Sequence, residues 1–91
     1  MPAARLDMID AQDWYEHQAP GLGARFRAEL GVQLDRVARS PLHFPEVLAD
    51  VRRARLQRFP YGLFFRAVDE EIFVIACFHS SRDPLVWRAR I

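Results

Sequence analysis

Four residues, Pro20-Gly21-Leu22-Gly23, decide most of what this chain can become. They interrupt two stretches of helical patterning, and so short a connection forces the two helices to pack as an antiparallel hairpin. The first helix is predicted from Pro2 to about Gln18, with proline in the first turn, where its missing N–H is no loss. Leu6, Ile9, Ala11, Trp14 and Tyr15 give it a broad apolar face, with Trp14 expected in the core. Asp7, Asp10, Asp13 and Glu16 lie along its polar side. The second helix is predicted from about Leu22 to Arg39, closed by Ser40-Pro41. Leu22, Phe26, Leu30, Leu34 and Val37 recur at helical spacing and form one buried stripe. Gly31 inside that helix costs roughly 1 kcal/mol relative to alanine.

Beyond the hairpin the pattern changes. Pro41 to Asp50 reads as a loop held by two prolines. Three strand-like runs follow, Val51–Phe59, Tyr61–Val68 and Ile72–His79. Asp69-Glu70-Glu71 is a polar turn joining the last two as a hairpin, and Pro60 imposes a bend or an edge between the first two. The last run is apolar at nearly every position, the pattern of a strand covered on both faces. Asp83-Pro84 opens a short helical or irregular tail, Pro84–Arg90. The expected class is therefore α+β: an N-terminal helical hairpin on a three-stranded antiparallel meander with a short C-terminal tail. Ninety-one residues suffice for one domain, taken as 1–91. A domain this small keeps much of its surface wet, so a permanent protein partner would stabilise it.

Several classes are excluded. A chain 51% hydrophobic and 27% charged is globular rather than disordered. No apolar run is long enough to span a bilayer, and the N-terminus lacks the pattern of a secretory signal, so a cytoplasmic protein is expected. The single cysteine, Cys77, cannot form an internal disulfide and reads as core. No His, Cys, Asp and Glu spacing makes a metal site, and Pro20-Gly21-Leu22-Gly23 lacks the strand and lysine of a phosphate loop; neither metal nor cofactor is expected. His17 and His43 read as surface residues.

The net charge of +1 conceals an asymmetry. Residues 1–50 hold five arginines against eight acids, and residues 51–91 hold eight against four. From Val51 to Val68 there are five arginines and no acid, and there is no lysine anywhere. An acid-free run of this kind creates a local positive field. Strand alternation puts Arg53 and Arg55 on one face, with Arg52 and Arg58 pointing to the other.

The order of short runs also resembles a known family. Trp14-Tyr15-Glu16, Pro20-Gly21-Leu22-Gly23 and Phe26 are similar to the helical hairpin of ParE-like toxins, and Phe44-Pro45 to the loop before their sheet. Arg52-Arg53-Ala54 and Arg58-Phe59-Pro60-Tyr61 look like their first central strand and its bend. Phe78-His79, Arg82-Asp83-Pro84 and Trp87-Arg88 resemble their C-terminal signature. From about Asp10 onward the chain thus resembles the RelE/ParE family of toxins from type II toxin–antitoxin systems. The resemblance implies growth inhibition, plasmid stabilisation and a hetero-oligomer with a cognate antitoxin encoded upstream. It also implies a strand before the first helix, which this sequence, starting at the helix, is expected to lack.

Three functions remain open on these residues. A gyrase-binding toxin would use the arginine cluster Arg52, Arg53, Arg55 and Arg58, together with Arg82, Trp87 and Arg88, for target or antitoxin. A ribosome-dependent mRNA endoribonuclease would use His79 as general acid or base, with Arg58, Arg66 and Arg82 steadying the phosphorane. Against that role, His79 is expected to hydrogen-bond the turn at Ser80-Ser81. The third is an inactive member crippled by the missing strand.

Overall fold

The computed structural model describes residues 2–81 and residue 89. Helix α1 spans Pro2–Gln18 and α2 spans Leu22–Arg39. A 3₁₀ turn at Pro41–His43 leads to four strands: β1 Glu46–Leu48, β2 Val51–Arg55, β3 Tyr61–Val68 and β4 Glu71–His79. They form one antiparallel sheet in the order β1-β2-β3-β4. The class is the expected α+β, with two corrections. The stretch read as a loop contributes β1, and the run read as Val51–Phe59 stops at Arg55, where the chain turns before Pro60. No strand precedes α1 among the described residues.

The hairpin connection works through two glycines and one acid. Gly21 sits in the left-handed region at φ 87°, open to glycine at little cost. A Cβ on Gly23 would lie 2.8 Å from the Gln12 carbonyl oxygen of α1, so glycine there lets the two backbones touch. The Glu16 carboxylate accepts the N–H of both Gly21 and Gly23 at 3.0 Å, satisfying donors that the start of α2 leaves open.

The stripe on α2 lies inward as expected, with Phe26, Leu30 and Val37 buried and Leu22 and Leu34 packed against them. On α1 the inward face is narrower than expected. Ala4, Ala11 and Tyr15 are buried, with Met8 packed beside them, whereas Leu6, Ile9 and Trp14 are exposed, Trp14 by 56%. Small alanines let α1 come close to its neighbours, which leaves the larger side chains outside. Trp14 meets Tyr15 edge-on, at 5.0 Å between ring centres. The core between helices and sheet centres on Tyr15, Phe26, Phe59 and Tyr61, whose rings meet at 4.8 to 6.0 Å, mostly edge to face.

The opposite face of the sheet also holds buried residues: Val51, Phe64, Ile75, Ala76 and Phe78. The two-faced apolar pattern of the last run is therefore realised over Ile75–Phe78, while Glu71 to Val74 alternate between exposed and half-buried. A register shift between Phe64 and Phe65 accommodates one extra residue on β4. Asp69 and Glu70, with φ of 50° and 66°, make the two-residue turn between β3 and β4.

Candidate functional site

The alternation of β2 divides its residues cleanly. Ala54 turns into the core beneath the helices, and Arg53 and Arg55 emerge together on the other face. Arg53 pairs with Phe64 of β3, and Arg55 with Gly62. The stem of Arg53 lies over Gly62: a Cβ there would meet Arg53 Cγ at 3.2 Å and Cδ at 3.3 Å. Glycine at 62 thus provides the bed on which this arginine rests.

Where β2 ends, α2 takes hold of the chain. The Gln33 side chain, buried on α2, donates to the Arg55 carbonyl at 2.6 Å and accepts from the Arg36 guanidinium at 3.2 Å. One turn earlier, the Glu29 carboxylate accepts the N–H of Gln57 at 2.6 Å and of Arg58 at 3.0 Å. The far side of the bend is fixed by Leu56 N–H to the Tyr61 carbonyl and by Ser80 N–H to the Pro60 carbonyl, at 2.9 and 2.7 Å. These bonds hold the bend so that Arg58 joins Arg53 and Arg55 around a cavity of about 470 Å³. Leu56, Phe59, Phe64 and Phe78 contribute buried apolar wall, Tyr61 and His79 lie at its β3–β4 end, and among the described residues no aspartate or glutamate lines it.

Arg53 is the innermost of the three. Its Nε is shut off from water without a hydrogen-bond partner among the described residues. Burial, and then the neighbouring Arg55 charge, pull its pKa below the ordinary arginine value. It remains a cation at neutral pH.

The expected site residues separate accordingly. Arg53 and Arg55 share a face as expected, and Arg58 joins them instead of Arg52, because the chain has left the strand before residue 58. Arg52 is bound elsewhere, donating to the Phe44 carbonyl at 2.6 Å and to Glu46 at 3.2 Å. Arg66 is paired with Asp50 at 2.9 Å and does not line the cavity. His79 reaches the cavity, but its Nδ1 accepts the Ser81 N–H at 3.0 Å and stands 2.7 Å from the Ser81 hydroxyl, the turn contact expected of it. Arg82, Trp87 and Arg88 lie outside the described residues. Cys77 is buried, and burial followed by the Asp7 charge pushes its thiol up to about 12, so it is no nucleophile. Among the described residues no group of three His, Cys, Asp or Glu side chains is placed to hold a metal ion.

Glu29, Gln33 and Gly62 escaped the sequence reading. The signal available was a polar pair at i, i+4 flanking the apolar stripe of α2, where one turn of helix should otherwise have been either core or solvent.

A protein-family model described as the ParE toxin of the type II toxin–antitoxin system, parDE, matches residues 1–84. No curated protein and no solved structure gives a match. No helix among the described residues is long and apolar enough to cross a membrane.

Proposed function

We propose that this chain, which belongs to the ParE toxin family of type II toxin–antitoxin systems, is a cytoplasmic toxin domain over residues 1–91 that binds DNA gyrase, stalls it, and is neutralised by a cognate antitoxin. The observation that carries the reading is the convergence of Arg53, Arg55 and Arg58 on one cavity that, among the described residues, no carboxylate lines. Such a surface works by binding rather than by bond-making: it offers forked cationic donors to a partner and needs no proton transfer. Arg82, Trp87 and Arg88 are proposed as further contact residues on their chemistry alone, since tryptophan and arginine are the side chains that most often dominate interfaces.

An RNA-cleaving role is less well supported. It asks His79, Arg58, Arg66 and Arg82 to act on one phosphate, yet Arg66 is committed to Asp50 outside the cavity and the His79 Nδ1 is engaged by the Ser81 turn. The deciding experiment is gyrase supercoiling in the presence of the purified chain. Inhibition is expected, weakened roughly tenfold, about 1.4 kcal/mol, by Arg58→Gln. Cleavage of mRNA on ribosomes, lost in His79→Ala and without effect on gyrase, would transfer the case to the endoribonuclease.

A further inference from the structure

We propose that the cavity between β2, the bend at residues 56–60 and the start of β3 is a receptor for a carboxylate side chain, presented by an acidic segment of the antitoxin. The partner's identity rests on the toxin reading above; the chemistry of the receptor rests on the cavity alone.

The first argument is the distribution of partners. Arg39, Arg52 and Arg66 each hold a carboxylate, from Asp35, Glu46 and Asp50. The side chains of Arg53, Arg55 and Arg58 hold none among the described residues, and these are the three that share the cavity. Glu29, whose carboxylate reaches the bend, directs both oxygens at backbone N–H groups there. It therefore gathers the cations without neutralising them. Like charges so placed repel, and a desolvated donor without a partner is costly, so the unbound protein stores an unfavourable arrangement that an arriving anion relieves.

The second argument selects the anion. The guanidinium fork of Arg matches the two oxygens of a carboxylate as well as those of a phosphate, so charge alone does not choose. The walls do. Leu56, Phe59, Phe64 and Phe78 give the cavity an apolar lining, and Arg53, lying flat over Gly62, is recessed. A glutamate or aspartate carries its charge at the tip of a slender methylene stem that enters such a space and buries its carbons against those walls. A phosphodiester is flanked by two sugars and remains at the mouth. A cavity of about 470 Å³ lies in the size range of sites that take a small group.

The test uses the intact chain and fluorescence anisotropy of a short dye-labelled peptide alternating glutamate with leucine. The same peptide with glutamine, and a single-stranded oligodeoxynucleotide of equal charge, serve as competitors. The glutamate peptide is expected to bind, the glutamine peptide to compete at least tenfold less well, and the oligonucleotide to compete weakly. Arg53→Gln and Arg58→Gln should each weaken binding roughly tenfold, while Arg39→Gln, remote from the cavity and already paired with Asp35, leaves it unchanged. Arg58 is exposed and its side chain makes no hydrogen bond or ion pair among the described residues, so its variant remains informative if Arg53→Gln fails to fold. Equal affinity of the two peptides, or indifference to both arginine substitutions, overturns the proposal. So does displacement by the oligonucleotide at concentrations below those of the glutamate peptide, which would mark a nucleic-acid site. Gyrase assays on the same variants separate the two readings. Peptide binding without gyrase inhibition removes the gyrase reading and leaves the receptor; gyrase inhibition without peptide binding does the reverse.

Discussion

Two glycines of α2 illustrate how little a residue's identity says without its surroundings. Gly23 faces α1, where a methyl group would stand 2.8 Å from the Gln12 carbonyl oxygen and 2.9 Å from the Glu16 carboxylate. Gly31 lies on the exposed side of the same helix with nothing within 4 Å of the added carbon. Alanine should therefore have opposite effects. Gly23→Ala forces the hairpin apart and is expected to destabilise by about 1–3 kcal/mol. Gly31→Ala removes only the entropic burden of glycine and is expected to stabilise by about 0.5–1 kcal/mol. Urea denaturation of both variants checks this, and a loss of stability in Gly31→Ala would contradict the packing described. At Gly62 the same methyl group would press on the stem of Arg53, so a glycine in a strand serves to seat a charged side chain rather than to make a turn.

At the scale of elements, the loop carrying Arg58 owes its shape to a helix nearly thirty residues earlier in the chain. Glu29 and Gln33, one turn apart on α2, bind the backbone of Arg55, Gln57 and Arg58. Hydrogen bonds from N–H to an ionised carboxylate are stronger than neutral ones. Glu29→Gln keeps the shape of the side chain and loses that charge. It is expected to cost about 1 kcal/mol of stability and to speed exchange of the Gln57 and Arg58 amides several-fold. Hydrogen exchange followed residue by residue measures this; unchanged protection at Gln57 would mean that the bend is held by Pro60 and the sheet alone.

The behaviour of the whole molecule in alkali follows from one core thiol. Cys77 is buried beside Leu63 and Phe65, and its pKa is raised from 9.0 to about 12. The folded state therefore keeps its proton where the unfolded chain has lost it, and stability must fall as pH rises from about 9 toward 12. Tyr15, raised by burial and by Tyr61, acts in the same direction. Cys77→Ala should flatten part of this decline in denaturant titrations between pH 8 and 11 (roughly the window in which the thiol differs between the two states). Superimposable declines in the two proteins would show that the thiol is not sequestered. At the acid end the sign reverses. The hydrogen bond from Arg66 holds the Asp50 carboxyl below its usual value, so what that pair contributes is present above the ordinary carboxylate range and is lost as the pH falls through the lowered pKa. With Asp50 at the surface, salt screens this contribution.

The sequence by itself determined the hairpin, the inward stripe of α2, the hairpin between β3 and β4, and the α+β class. These follow from periodicity and from prolines and glycines, which act within a few residues of themselves. It also marked the acid-free arginine run and placed Arg53 and Arg55 on one face. Only the tertiary structure decided the rest. β1 is three residues long, too short to carry a pattern, and exists because β2 offers it an edge. Trp14 lies outside because the alanines of α1 set the distance of closest approach, a condition imposed by neighbours that the local pattern does not contain. Arg58 belongs with Arg53, and Arg52 and Arg66 do not, because long-range bonds to Glu29, Glu46 and Asp50 dispose of each side chain separately. Charge is written in the sequence, but whether it is neutralised depends on which distant residue arrives beside it.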